Sequence, residues 1–190
     1  MIIVLCVLVS FRLTADEHQT KEYTLDNISQ LVTPIAAPFL GLTGIKSKHT
    51  LKERIAVTFT SLVIDEGIVQ TLKYTIHSTR PDGSDNKSFP SGHTSVSFAG
   101  AEIIREEYGW LYGGIAYAWS VGVGALRIHH HKHRLTDVIG GAAAGVISAR
   151  LGYLLLPFER KLFRWDKNKT ICAMPSMSKQ GIMCSVEIFF

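Results

Sequence analysis

The sequence predicts an all-α fold, a helical bundle suited to spanning a membrane, with a short C-terminal tail read either as a β-hairpin or as loose chain. Three observations lead there. Runs at 55–76, 91–108, 110–126 and 135–156 are each long enough for several helical turns. Breaks marked by proline, glycine or a crowd of histidines separate them at 77–90, 109 and 128–134. A hydrophobic fraction of 46% with a charged fraction of 19% lies between an ordinary soluble protein and a polytopic membrane protein.

At 190 residues the chain suits one domain with a sizeable core. We divide it into an apolar signal or anchor segment at 1–15, a helical domain at 16–168 and a tail at 169–190. The formal net charge of +4 is mild and suits anionic substrates or a membrane surface without requiring either. No basic stripe with interleaved aromatics is present, so nucleic acid is not an expected partner. Three cysteines, Cys6, Cys172 and Cys184, are too few and scattered for a disulfide framework, and without a CxxC pair a thiolate zinc site is not expected. A Cys172–Cys184 bridge across the tail would suit an oxidising compartment.

Residues 1–11 are apolar and about as long as a signal-peptide core. They lack a basic leading region and a clear cleavage site before Asp16, Glu17 and His18, so a buried N-terminal element is the competing reading. Residues 16–29 form a polar linker or a surface helix. The apolar stretch 31–42 carries Pro34, Pro38 and Gly41, which predicts a short or broken helix. A basic loop at 46–54 precedes the long segment 55–76, which is interrupted by Asp65 and Glu66. Residues 77–90 read as a loop around Arg80, Pro81, Asp82 and Gly83. Ser91 opens the next helix, which runs to Tyr108. Residues 110–126 are the most apolar run, 128–133 form a polar junction, and the last helix, 135–156, is expected to stop at Pro157.

If neighbouring helices are antiparallel, the loop 77–90 and the junction 128–134 fall at one end of the bundle. The loops at 46–54, 106–109 and 157–169 fall at the other. All the candidate chemistry then gathers at one end.

Three segments carry that chemistry. Lys73 and Arg80 stand seven residues apart, two turns on a helix, so both cations would share a stripe. Alone, such a pair reads as two solvated cations at a helix end. Next, Pro90, Ser91, Gly92 and His93 suit a helix N-terminus whose free N–H groups and positive dipole end attract an anion. Ser91 adds a hydroxyl, Gly92 allows close backbone approach, and His93 adds a titratable imidazole; a plain helix cap is the alternative. Finally, Arg127, His133 and Asp137 bracket a histidine cluster. His133 and Asp137 would share a face if the helix started before His133, and a carboxylate bonded to one ring nitrogen would leave the other free as a nucleophile. His129, His130, His131 and His133 raise the competing prospect of a metal. Consecutive histidines point in different directions, however, and no HExxH spacing occurs.

In this order, the three segments resemble the signature of the type 2 phosphatidic acid phosphatase (PAP2) superfamily. That group includes lipid phosphatases, bacterial non-specific acid phosphatases and vanadium-dependent haloperoxidases. Its signature is Lys-x6-Arg-Pro, Pro-Ser-Gly-His and Ser-Arg-x5-His-x3-Asp. Residues 73–81 and 90–93 match the first two parts in full, and Arg127, His133 and Asp137 match the third, so the resemblance covers about residues 55–157. The chain departs from it at Leu126, where the family has an accessory serine, and in a short 81–90 loop with little room for a lid. The resemblance implies a PAP2-type helical bundle and a metal-independent phosphatase with no cofactor. It implies that His133 attacks phosphorus to give a phosphohistidine, oriented by Asp137, while His93 protonates the leaving alkoxide and then activates water. Lys73, Arg80 and Arg127, with the amides near Ser91 and Gly92, would hold the phosphoryl oxygens. A haloperoxidase would use the same cradle for vanadate, usually within a much longer chain.

The expected substrate is a phosphorylated lipid of the lipid A, undecaprenyl pyrophosphate, phosphatidylglycerol phosphate or phosphatidate type. A small soluble phosphomonoester is the alternative. Segments 31–45, 55–76, 110–126 and 138–156 approach spanning length, with Asp65, Glu66 and Arg150 costly in lipid unless they face the bundle interior. Residues 46–54 carry four basic residues against Glu53, and 159–169 carry five against Glu159 and Asp166. The positive-inside rule then puts that end in the cytoplasm and the active site on the periplasmic face of an inner membrane. The catalytic end is basic as well, through Arg80, Lys87, Arg127, Lys132 and Arg134, which opposes this assignment. A soluble periplasmic acid phosphatase is the alternative.

Overall fold

A computed structural model describes residues 27–83, 85–163, 165, 170–178 and 181–189. The expected signal or anchor at 1–15 and most of the polar segment 16–29 lie outside the described residues. Among the described residues, five α-helices follow one another: α1 (Val32–Phe39), α2 (Leu51–Thr75), α3 (Gly92–Tyr108), α4 (Trp110–His129) and α5 (Leu135–Leu162). Two strands, β1 (Thr170–Ser178) and β2 (Gly181–Phe189), pair as an antiparallel hairpin, the first of the two readings of the tail. Its register sets Cys172 opposite Glu187 and Cys184 opposite Pro175. The cysteines are out of step, so the suggested bridge has no basis in this ladder.

Helix boundaries differ from expectation where side chains reach across the bundle. The 31–42 stretch yields only the eight residues of α1, followed by a 3₁₀ turn at Leu40–Thr43. Thr50 caps α2 by accepting from the Glu53 N–H, and the Glu53 carboxylate returns to Thr50 N at 2.9 Å. This Thr-x-x-Glu capping box draws Lys52, Glu53 and Arg54 out of the expected loop and into the helix. At the other extreme, α5 runs through Pro157 to Leu162. Proline removes one helical N–H, but the turn beyond it is tied to α2. There the Thr60 hydroxyl donates to Glu159, and Arg160 Nε lies 2.6 Å from Glu53 Oε1.

The helix α3 occupies the centre and touches all four others. Ala101, Ile103, Ile104 and Tyr108 from it pack with Ala37, Ala116 and Ala149. The α3–α5 contact is close enough that a Cβ at Gly145 would collide with the Ser95 carbonyl oxygen.

The interior is more polar than a water-soluble core. Ser61, Asp65, Ser95, Ser97, Ser120 and Ser148 are fully buried. Hydroxyls bridge helices there: Ser97 and Ser120 lie 2.8 Å apart, Thr33 donates to the Ser97 carbonyl at 2.7 Å, and Ser95 and Ser148 both donate to Asp65. Large apolar side chains point outward instead, among them Trp110, Leu111 and Ile115 on α4 and Ile139, Leu154 and Phe158 on α5. Small polar residues between helices and apolar residues outside are what a bundle in lipid uses. Both α2 and α5 are long and apolar enough to cross a membrane, and α1 is too short. Asp65 faces the interior, whereas Arg150 is half exposed and ion-paired with Glu102 and with Glu106 at 2.6 Å.

The ends divide as the antiparallel arrangement requires. At one, Ser91 N donates to the Asp137 carbonyl at 2.9 Å and Lys132 Nζ meets Asp82 Oδ2 at 2.9 Å. At the other, Lys48 N donates to the Glu107 carbonyl at 3.2 Å.

Candidate active site

Lys73 lies in the last turn of α2. Arg80 does not share its helical stripe, because Ile76 leaves the helix in extended conformation and Pro81 biases Arg80 away from helical angles. Instead, Asp85 organises Arg80. Arg80 N donates to the Asp85 carbonyl at 2.9 Å, and Arg80 Nε lies 2.9 Å from Asp85 Oδ1. The loop then doubles back, with Ser88 N donating to the Ser78 carbonyl at 2.9 Å.

Ser91 is the N-cap of α3, with Gly92 and His93 its first two residues. Ser91 and Gly92 are buried, while His93 is partly exposed. Ser91 Oγ makes no capping bond and sits 3.0 Å from Thr94 Oγ1, which donates to it. First-turn N–H groups have no intrahelical acceptor and carry the positive end of the helix dipole. Close seating of this terminus depends on Gly141 of α5, where a Cβ would collide with the Ser91 carbonyl oxygen. His93 Nε2 lies 2.7 Å from Asn27 Oδ1.

The third segment turns sharply. Lys132 N donates to the Arg127 carbonyl at 3.1 Å and His131 N to the Ile128 carbonyl at 3.0 Å. With His131 at φ 53°, this is a Schellman ending with histidine where glycine is the common choice. The reversal returns His133 to Arg127, whose carbonyl also accepts from His133 N at 3.3 Å.

Here the expected His–Asp hydrogen bond is not formed. The helix α5 begins at Leu135, after His133, and Asp137 is its third residue. Asp137 Oδ2 accepts from Arg134 N at 2.8 Å and from Ser88 Oγ at 2.5 Å. His133 Nδ1 is 3.8 Å from that oxygen, beyond hydrogen-bond reach, and has no partner among the described residues. The carboxylate acts on the imidazole as a nearby charge.

The electrostatics of the site meet at His133, which is only 3% exposed. Its pKa is pushed down to about 3, first by burial and then by the positive charges of Arg127, Arg80 and Lys73, with Asp137 pulling the other way. All three cations named from sequence therefore act on one imidazole. At neutral pH the ring is uncharged and keeps a lone pair, while its surroundings are positive. Such an arrangement can draw in a phosphate-like anion and attack it. Among the described residues no three His, Cys, Asp or Glu side chains gather as a metal-ligand set.

Sequence reasoning gave no role to Ser88, the first residue of its second segment, and missed Asn27 and Gly141. Ser88 sits two residues before Pro90 and could have been suspected from that position. Nothing in the local sequence marks Asn27.

The sequence matches the PAP2 superfamily over residues 54–161, more than half of the chain. It is similar to the lipid A 1-phosphatase of Porphyromonas gingivalis, 34% identical over 134 residues, covering 68% of this chain and 30% of that protein. It is also similar to the probable lipid phosphate phosphatase 4 of Arabidopsis thaliana, 33% identical over 86 residues, covering 36% of this chain and 27% of that one. The chain thus spans under a third of the length of these curated relatives. Among solved structures, LpxE of Aquifex aeolicus has a similar fold, with a TM-score of 0.55 at 19% identity over 77% of this chain and 94% of that one. The family match runs from α2 to α5 and includes all three candidate segments; the chain belongs to the PAP2 superfamily.

Proposed function

We propose that the chain is a metal-independent phosphatase that hydrolyses a phosphorylated lipid through a phosphohistidine intermediate. The observation that carries this reading is the buried, uncharged His133 in the combined field of Lys73, Arg80 and Arg127. Family membership and the similarity to a lipid A 1-phosphatase support it.

In this reading the three cations and the first-turn amides of α3 bind the phosphoryl oxygens and offset the charge that builds during transfer. His133 Nδ1 is the nitrogen nearer Asp137, which leaves Nε2 to attack phosphorus in line. The P–N bond forms as the P–O bond to the lipid breaks, and His93 gives its proton to the departing oxygen. His93 then takes a proton from water, whose oxygen displaces His133 and releases inorganic phosphate. Asp137 favours the positive ring in the intermediate.

The apolar exterior of α4 and α5 supports a substrate held in a bilayer. Lys46, Lys52 and Lys161 are exposed at the end opposite the site. Because the positive-inside rule counts basic residues and gives acidic ones little weight, this supports a site on the periplasmic face of the inner membrane.

The test is phosphate release by the membrane fraction from lipid A, undecaprenyl pyrophosphate, phosphatidylglycerol phosphate, phosphatidate and a soluble aryl phosphate. Release from a lipid, abolished in His133→Ala, is expected. Full activity in His133→Ala would sink the mechanism. A soluble protein that prefers the aryl phosphate would replace the lipid reading with that of an acid phosphatase.

A further inference from the structure

The contact between Asn27 and His93 has no counterpart in the motifs that identify the site. A side-chain carbonyl oxygen only accepts hydrogen bonds. At 2.7 Å from Asn27 Oδ1, His93 Nε2 therefore carries a proton and donates it. This bond fixes the tautomer at Nε2 and steadies the ring as it becomes cationic.

Asn27 is itself held in place. Gln30 Nε2 donates to the Asn27 carbonyl at 3.2 Å, and Leu31 N donates to the Ile28 carbonyl at 3.0 Å. This turn is fixed to α4 by Trp119 Nε1, which donates to the Ser29 carbonyl at 2.9 Å, and to α3 through Thr33 and Ser97. The segment before α1 thus reaches the first turn of α3 at His93.

Among the described residues, the charged and titratable groups brought to this end by the other elements are Lys73 of α2, His77, Arg80, Asp82, Asp85 and Lys87 of the α2–α3 loop, Arg127 and His129 at the end of α4, His130, His131, Lys132, His133 and Arg134 of the α4–α5 loop, and Asp137 of α5. The stretch from Asn27 through α1 brings no charge. Asn27 contributes through a dipole and a fixed geometry, in a site where cations outnumber carboxylates.

We infer that Asn27 is a positioning residue for His93, fixing its tautomer and ring orientation so that it can exchange a proton with the leaving group and with water. This inference rests on the phosphatase reading for its consequence in turnover, while the coupling between the two side chains can be measured without it.

The experiment uses the full chain in detergent, as wild type, Asn27→Ala, Asn27→Gln and Asn27→Asp. Imidazole nitrogen resonances are followed against pH, alongside kcat and KM profiles on a lipid phosphate. An aspartate places a negative charge on His93 and should raise its pKa by about one unit, moving the basic limb of kcat/KM upward with it. Asn27→Ala should lower kcat ~10-fold with little change in KM, a fraction of a full general-acid contribution, and Asn27→Gln should restore part of the loss. A His93 titration indifferent to Asn27→Asp, or activity profiles of the alanine and aspartate variants that superimpose on wild type, overturns the inference. A His93 resonance that responds to Asn27→Asp in a chain with no phosphatase activity supports the coupling and overturns the reaction assigned to the site.

Discussion

The Ser88 hydroxyl donates a hydrogen bond to Asp137 Oδ2 at 2.5 Å, with both residues buried. Removing that donor leaves a carboxylate short of one charge-assisted hydrogen bond, a loss of about 1.5–3 kcal/mol. Ser88→Ala is therefore expected to lower stability by that amount and to reduce kcat, checked by denaturant titration and turnover on the same preparation. His133 adds a pH dependence. Its ordinary pKa of 6.5 falls to about 3 in the folded chain. Between those values the unfolded chain binds a proton that the folded chain excludes. The associated stability is complete above pH 6.5 and is lost as pH falls towards 3. A His133→Asn variant should show a shallower loss of stability across that window, measured as unfolding midpoint against pH. The residue types at the site were legible in the sequence because phosphate chemistry restricts them to cations, histidines and a helix N-terminus. The His133–Asp137 bond was misread because four-residue spacing implies a shared helical face only when the helix has already begun.

At the scale of elements, local propensity placed the helices well and their ends less well. Pro157 is a strong local stop signal, yet Thr60–Glu159 and Glu53–Arg160 hold the next turn in place from another helix. No reading confined to residues near 157 could supply those partners. The end of α4 shows the converse case, a left-handed turn without its usual glycine. A non-glycine residue held there costs on the order of 1–3 kcal/mol. His131→Gly should recover part of it, raising stability by up to ~1 kcal/mol with turnover unchanged, since His131 is exposed and has no role in the proposed reaction. A thermal melt of the two proteins in the same detergent checks this. If activity fell sharply, the turn would be contributing more than chain reversal.

Over the whole molecule, hydrophobicity is arranged against the habit of soluble proteins. Fully buried serines and Asp65 line the interior, while Trp110 and Leu154 stand over 70% exposed on the outside. The composition hinted at a protein between the soluble and membrane classes; the packing explains how it accommodates both traits. Expressed intact, the chain is expected in the membrane fraction and to resist extraction by high salt or alkaline carbonate. A cysteine at Lys87, exposed at the site end, should react with an impermeant maleimide from the periplasmic side, whereas one at Lys161 should not. The reverse labelling pattern would place the site in the cytoplasm.

Asp137 gives the molecule one further property. Its side chain holds Ser88 and the start of α5, and its carbonyl holds the cap of α3. A single residue thus keeps three stretches of chain in register, whereas each helix keeps its own backbone bonds independently. Mild solvent perturbation can slacken that junction while every helix persists. In a denaturant series, loss of turnover is therefore expected to precede the loss of helical circular dichroism.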